Sequence, residues 1–208
     1  MPENISTLEK LLTCAKREFL SKGFKNASLR NIAAAAGLTT GAIFGHFKSK
    51  NDIFESLVNP VCEQAERMFA ALSESHCPPD DLAADAYMKK SCEDLRDIYS
   101  FIYNHCEEFR LLLCCAEGSS KSDFVHMIVE RDVTRTHAYL RERETKTGLS
   151  YPSDRISLHI LSDCYINSLL EPIRHGMSYE DAIKHTKMLG LFHAGGWGAV
   201  FTPLLSSG

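Results

Sequence analysis

At 208 residues, 44% apolar and 24% charged, the chain is long enough for a small folded head with a larger body, and too apolar to remain disordered. Mixed polar residues at positions 1–10 argue against a secretory leader, and the most membrane-like run, 188–205, is interrupted by glycines, His193 and Pro203, so a cytoplasmic protein without a membrane span is expected. The net charge of −4 hides an asymmetry: residues 1–50 hold eight Lys or Arg against three acids (+5), leaving −9 on the remainder, which points to a polyanionic partner for the head alone or to cations clustered by chance on solvated helices.

Every segment reads as helix. Leu8, Leu11, Leu12, Ala15, Phe19 and Leu20 recur at helical spacing, with Gly23 as a stop. Ser28 precedes a second apolar run (Leu29, Ile32, Ala33, Ala36) that Gly37 closes. Thr39 can cap a short third helix, Thr40 to His46, and Ser49 with Asp52 forms a capping box for a fourth. Pro78 and Pro79 mark a break at 76–80. Longer helices are predicted over about 81–103, 106–116, 122–146, 154–175 and 179–201, with Gly176 ending one and Ser178 and Asp181 capping the next. Eight cysteines without C-x-x-C spacing suit a reducing compartment and small buried thiols rather than disulfides.

The segment LRNIAAAAGLTTGAIFGHF holds two short helices joined by a glycine-led turn. Small Ala33 and Ala34 suit a close helix crossing, Leu38 the corner, and Ile43 and Phe47 the core. One face of the third helix is left without large apolar residues. It carries Thr40, Gly41 and Gly45, small groups that let a helix enter the major groove, with Ala42 also placed toward base edges. Ser28 and Arg30 at one helix start, and Lys48, Ser49 and Lys50 at another, are phosphate donors in this reading.

Over Lys10 to Val58 the chain resembles the DNA-binding domain of TetR/AcrR-type regulators. The resemblance rests on Ala15, Phe19, Gly23 and Phe24 in one run and on Ser28, Arg30, Ile32 and Ala33 in a second. It extends through AAGLTTG and through Phe44, Phe47, Lys48, Ser49 and Lys50. It implies an all-α fold: a three-helix helix-turn-helix domain (1–48) joined by a fourth helix to a larger ligand-binding and dimerisation domain (49–208). It also implies a homodimeric repressor of a palindromic double-stranded operator, released by a small-molecule effector. Thr39, Thr40, Gly41, Ala42, Phe44, Gly45 and His46 then face DNA. The chain departs from the family at three of these. Phe44 replaces a frequent tyrosine and loses its hydroxyl, Gly45 replaces an aromatic or histidine, and His46 stands where tyrosine is common. Phe44 has two readings, a DNA-facing role or packing against the fourth helix.

The resemblance further implies that the last two helices form a dimer bundle. Leu189, Phe192, Gly196, Ala199 and Val200 share one side of the last helix, and Trp197 is a candidate anchor. Glycine costs about 1 kcal/mol within a helix, so Gly190, Gly195, Gly196 and Gly198 together ask for a reason, such as a partner helix approaching closely. Ordinary packing within the chain is the other reading. Candidate ligand contacts combine aromatic, sulfur and polar tips: Tyr99, Tyr103, His105, Phe109, Leu113, Met127, His159, Cys164, Tyr165 and Asn167. A plain hydrophobic core is the alternative for each. The pairs His126/Glu130 and His159/Asp163, at i,i+4 spacing, suit either a metal or a solvated face, and Cys114–Cys115 a redox response. A metal- or redox-responsive regulator of the same fold and a helical adaptor without DNA are therefore the rival functions. No G-x-S-x-G, phosphate-binding glycine loop or H-E-x-x-H is present, so no enzyme is expected and no cofactor is implied.

Overall fold

The computed structural model describes residues 6–75 and 84–204. The break expected at 76–80, the helix start expected near Asp81, and Cys77 lie outside the described residues. Those residues form nine α-helices and no strand. The helices are α1 (Thr7–Asn26), α2 (Leu29–Ala36), α3 (Thr40–Phe44), α4 (Lys50–Ser75), α5 (Ala84–Asn104), α6 (Cys106–Cys114), α7 (Phe124–Thr147), α8 (Arg155–Arg174) and α9 (Tyr179–Val200). No described helix is long and apolar enough to cross a membrane.

Local chemistry sets the ends. Ser6 and Glu9 cap α1 reciprocally, at 2.8 and 3.2 Å. Within α1, Gly23 takes φ +72°, which side chains with a Cβ rarely adopt, and the helix breaks there. Asp52 N–H donates to Ser49 Oγ at 3.1 Å, while the Asp52 carboxylate accepts from the Ser49 hydroxyl and from the Lys48 N–H. Ser178 caps α9 in the same way, with Asp181 N–H at 3.2 Å. Pro60 lies inside α4 and supplies no N–H to the carbonyl one turn before it.

The chain divides into two compact units, Met1–Gln64 with His105–Phe124, and Ala65–Asn104 with Val125–Gly208. The first packs α1 to α3 and the start of α4 around Phe19, Phe24 and Phe54, whose ring centroids lie 5.2–5.8 Å apart. Residues 105–124 belong to this unit. Phe109, Leu111 and Leu112 of α6 are buried in it, and each buried side chain of this kind is worth about 1.5–3 kcal/mol. Lys16 bridges to Glu108 at 2.6 Å and Glu107 at 3.2 Å, and the Phe24 amide donates to the Cys115 carbonyl at 2.7 Å. Burial pulls the Lys16 ammonium down, but hydrogen bonds to Glu108 and Glu107 outweigh it and leave its pKa above the ordinary value.

In the second unit α5 lies close against α9. A Cβ on Gly190 would stand 3.2 Å from Cys92 Sγ and 3.4 Å from a Leu95 methyl, so this glycine is explained within one chain. Tyr99, Ile102, Tyr165, Leu169 and Trp197 fill the core, with Trp197 stacked on Phe201 at 5.7 Å.

Candidate nucleic-acid interface

α3 is held in place by two features. Ile43, 1% exposed, is its only buried residue, and Thr39 caps it by accepting from the Ala42 N–H at 3.1 Å. Gly37, at φ +71°, makes the left-handed exit from α2 that sets the turn. Thr39, Thr40, Gly41, Ala42, Phe44, Gly45 and His46 are all exposed. Phe44 is 56% exposed, so its ring points to solvent rather than packing on α4. The outer face of α3 thus offers a hydroxyl, bare backbone, a methyl and a phenyl ring, a set suited to base edges and thymine methyls. Ala34, expected at the helix crossing, is exposed; Ala33 and Ala36 are the buried pair.

The flanking cations are not equivalent. Arg30 and Lys48 are exposed and make no ion pair among the described residues. Lys50 is committed inward. Its ammonium donates to the carbonyls of Phe24, Lys25 and Ala27 at 2.6, 3.3 and 3.1 Å and lies 4.6 Å above the Phe24 ring. All three of its protons are used at the end of α1, where the helix dipole favours a cation. The expectation that Lys50 serves phosphate therefore does not match its geometry. Ser28 caps α2 weakly, at 3.5 Å from the Asn31 N–H, and its own N–H donates to Glu18 Oε1 at 3.2 Å. A carboxylate thus already stands at the start of α2. Hydrogen bonds from Ser49 and then from the Lys48 amide hold the Asp52 carboxyl below the usual range.

Residues 11–57 match the model of the bacterial regulatory proteins of the tetR family. The match spans 47 of the 208 residues and marks this segment as similar to that family. The chain is 32% identical over 111 residues to the transcriptional repressor BepR of Brucella suis, a match covering 50% of this chain and 53% of that one. It is 45% identical over 51 residues to the regulator AcrR of Shigella flexneri, covering 24% of each. The chain thus spans about half the length, or less, of these curated relatives. Among solved structures, NalD of Pseudomonas aeruginosa, the secondary repressor of the MexAB-OprM multidrug efflux pump, superposes with a TM-score of 0.56 at 20% identity. That superposition covers 89% of this chain and 96% of NalD, and it shows a shared fold: a helix-turn-helix head and a larger helical domain.

The ten candidate ligand residues fall in both units. His105, Phe109 and Leu113 belong to the unit that contains the head, with Phe109 in its core. In the other unit Tyr99 and Tyr165 are fully buried, and burial pushes the Tyr99 phenol well above its ordinary value. The Tyr103 hydroxyl donates to the Met177 carbonyl at 2.9 Å. Met127 and Cys164 are exposed. His159 pairs with Glu130 at 2.8 Å, and Asn167 donates to Asp163 at 2.9 Å. None of the ten lines the cavity of about 710 Å³ that opens between α4 and α7 in this unit. Residues passed over in the sequence line it instead, among them Glu66, Phe69, Arg131 and Arg135. The pair of arginines at i,i+4 was the available signal. Among the described residues no three His, Cys, Asp or Glu side chains stand close enough to hold a metal. Burial, then its neighbour Cys114, holds the Cys115 thiol above its usual range, which works against redox reactivity.

The candidate dimer residues split by face. Leu189 and Trp197 point inward at 6% and 5% exposure, whereas Phe192 is 74% exposed and Val200 is intermediate. A Cβ on Gly195, Gly196 or Gly198 would meet nothing within 4 Å. With Phe192, exposed Met188 and Leu191 line the outer face of α9, and Ile156, Ile160 and Leu161 are exposed on α8.

Proposed function

We propose that this protein is a dimeric transcriptional repressor that binds a palindromic operator in double-stranded DNA and is released by a small, partly apolar molecule. The observation that carries this reading is the outer face of α3, capped by Thr39 and flanked by Arg30 and Lys48, within a tetR-family segment. DNA recognition is assigned to residues 1–48, with Thr40, Gly41, Ala42, Phe44, Gly45 and His46 toward bases and Ser28, Arg30 and Lys48 toward phosphates. Residues 49–208 are assigned to ligand binding and dimerisation. The names of BepR and NalD, both repressors, favour repression over activation. A DNA partner and free thiols go with a cytoplasmic location.

The exposed apolar residues of α8 and α9 support the dimer. Six large side chains left in water on two helices of one unit are unusual for a monomer, and burying them gains about 25 cal/mol per Å². Phe192, Gly196 and Val200 then meet a second copy of the chain, while Leu189 and Trp197 support the face from behind. The cavity beside α4 is the candidate effector site, because α4 also begins at Lys50 in the head. An effector acts only if it binds the DNA-free conformation more tightly, and a coupling of about 1–3 kcal/mol weakens operator binding roughly 5–150-fold.

The test is a gel shift with DNA flanking the chain's own gene, together with sedimentation of the free protein. Sequence-selective, salt-sensitive retardation by a dimer is expected. A monomer at micromolar concentration, or binding insensitive to salt, refutes the reading.

A further inference from the structure

Lys10 closes the first turn of α1, its amide donating to the Ser6 carbonyl at 3.0 Å. A cation there opposes the helix dipole, which favours carboxylates such as Glu9 at that end. No bond offsets this: Lys10 is exposed, and its ammonium makes neither a hydrogen bond nor an ion pair among the described residues. Glu9, beside it, holds the Ser6 N–H instead.

The Lys10 side chain runs to the turn between α2 and α3. A Cβ built on Gly37 would stand 3.7 Å from Lys10 Nζ, so the ammonium rests against a residue two positions before the Thr39 cap of α3. The carbonyls that close α2 have donors of their own. Ala33 accepts from the Leu38 N–H at 2.9 Å, and Ala34 from the Gly37 N–H at 3.1 Å. The three ammonium protons of Lys10 are thus uncommitted beside the start of α3. Lys50 is the contrast, with its protons given to three carbonyls. In a helix-turn-helix the first residues of the recognition helix enter the major groove, and phosphates line the groove's edge.

We infer that Lys10 contacts the DNA backbone, its ammonium on a phosphodiester at the groove edge beside the start of α3. The inference rests on the operator-binding reading and extends its phosphate contacts to α1, beyond Arg30 on α2 and Lys48 before α4. Such a contact adds affinity and register without discriminating bases.

The test titrates the full chain, by fluorescence anisotropy, with a labelled duplex from DNA flanking its own gene and with an unrelated duplex of equal length. Lys10→Gln lowers the slope of log affinity against log salt by about 0.9 on both duplexes, roughly a four- to eightfold loss at 0.1–0.2 M salt. The ratio of the two affinities stays at the parent value. Lys10→Arg keeps the parent slope, since a guanidinium also binds phosphate. Lys25→Gln removes an equal charge from a lysine that pairs with Glu117 at 2.9 Å, and it also keeps the slope. A parent slope in Lys10→Gln overturns the proposal, and a lowered Tm with that slope assigns Lys10 to the C-terminal dipole of α2 instead. An equal drop in Lys25→Gln, which reduces the effect to net charge, overturns it too, as does a loss confined to one duplex. Absent or salt-insensitive binding by the parent refutes the operator reading and this contact with it. Salt-sensitive parent binding with an unmoved Lys10→Gln slope refutes this contact alone.

Discussion

Lys48 and Lys50, two residues apart, are expected to fail in opposite ways when truncated. Lys50→Ala removes a cation shared by three carbonyls at the end of α1 and lying 4.6 Å over the Phe24 ring. Hydrogen bonds from a charged donor contribute about 1.5–3 kcal/mol, and a part-exposed cation–π contact adds about 0.5–1. The three bonds share one ammonium and do not add, so the expected loss is about 2–3 kcal/mol. For a chain of this size that lowers Tm by roughly 5–10 °C. Lys48→Ala removes an exposed side chain that makes no ion pair among the described residues and should change stability by less than about 0.5 kcal/mol. It should instead reduce the slope of log affinity against log salt by about 0.9 for the lost phosphate contact. Thermal melts followed by circular dichroism, and DNA titrations at several salt concentrations, separate the two. If Lys50→Ala melts with the parent protein and selectively loses DNA affinity, the inward role of Lys50 is refuted.

Thr40→Ala and Gly41→Ala should alter operator preference, with about 1–3 kcal/mol at a contacted base pair, as read by competition with singly mismatched operators. Position 41 is the cleaner probe, since its Cβ would stand an ordinary 3.7 Å from Thr39 Oγ1, whereas one on Gly45 would crowd the Ala42 carbonyl at 3.3 Å. Gly196→Leu should fold and dissociate to a monomer in sedimentation, while Gly190→Leu should lower Tm, because only position 190 faces its own chain at 3.2 Å. Burial raises the Glu108 pKa, but the hydrogen bond from Lys16 outweighs it, so the carboxyl lies below its ordinary 4.5. Its stabilisation is complete above that value and is lost as pH falls through the lowered one. Melts between about pH 3 and pH 7 should accordingly show a shallower acid loss in Glu108→Gln than in the parent.

The helix ends were legible because their causes lie within a few residues: Ser28, Thr39, Ser49 with Asp52, and Ser178 with Asp181 all cap as their spacing indicates. The short α3 and its small-residue face were legible for the same reason. Lys50 was not, because the carbonyls it holds lie 23 to 26 residues away. The ten ligand candidates scattered because an aromatic ring with a polar tip fits a core, a surface pair and a pocket equally well. Tyr165 is buried in a core, whereas His159 pairs with Glu130 in a part-exposed position. In α9, four glycines suggested one cause and have two environments, with Gly190 against Cys92 and Leu95 and the other three in open space. Helical periodicity marks an apolar stripe without saying whether the covering surface comes from the same chain.

The membership of residues 105–124 in the first unit bears on how such a protein can be taken apart and rebuilt. A fragment cut after Gln64 would keep every candidate DNA contact and still lose Phe109, Leu111 and Leu112 from its core. It would also strand Lys16 and Lys25 without Glu107, Glu108 and Glu117, and leave the Phe24 amide without the Cys115 carbonyl. A chimera that grafts this head onto a foreign sensor therefore has to carry a second, distant splice. The donor protein must surrender its own α6 and the loop after it and accept these. Transplants joined at a single point inherit the reading surface without its foundation.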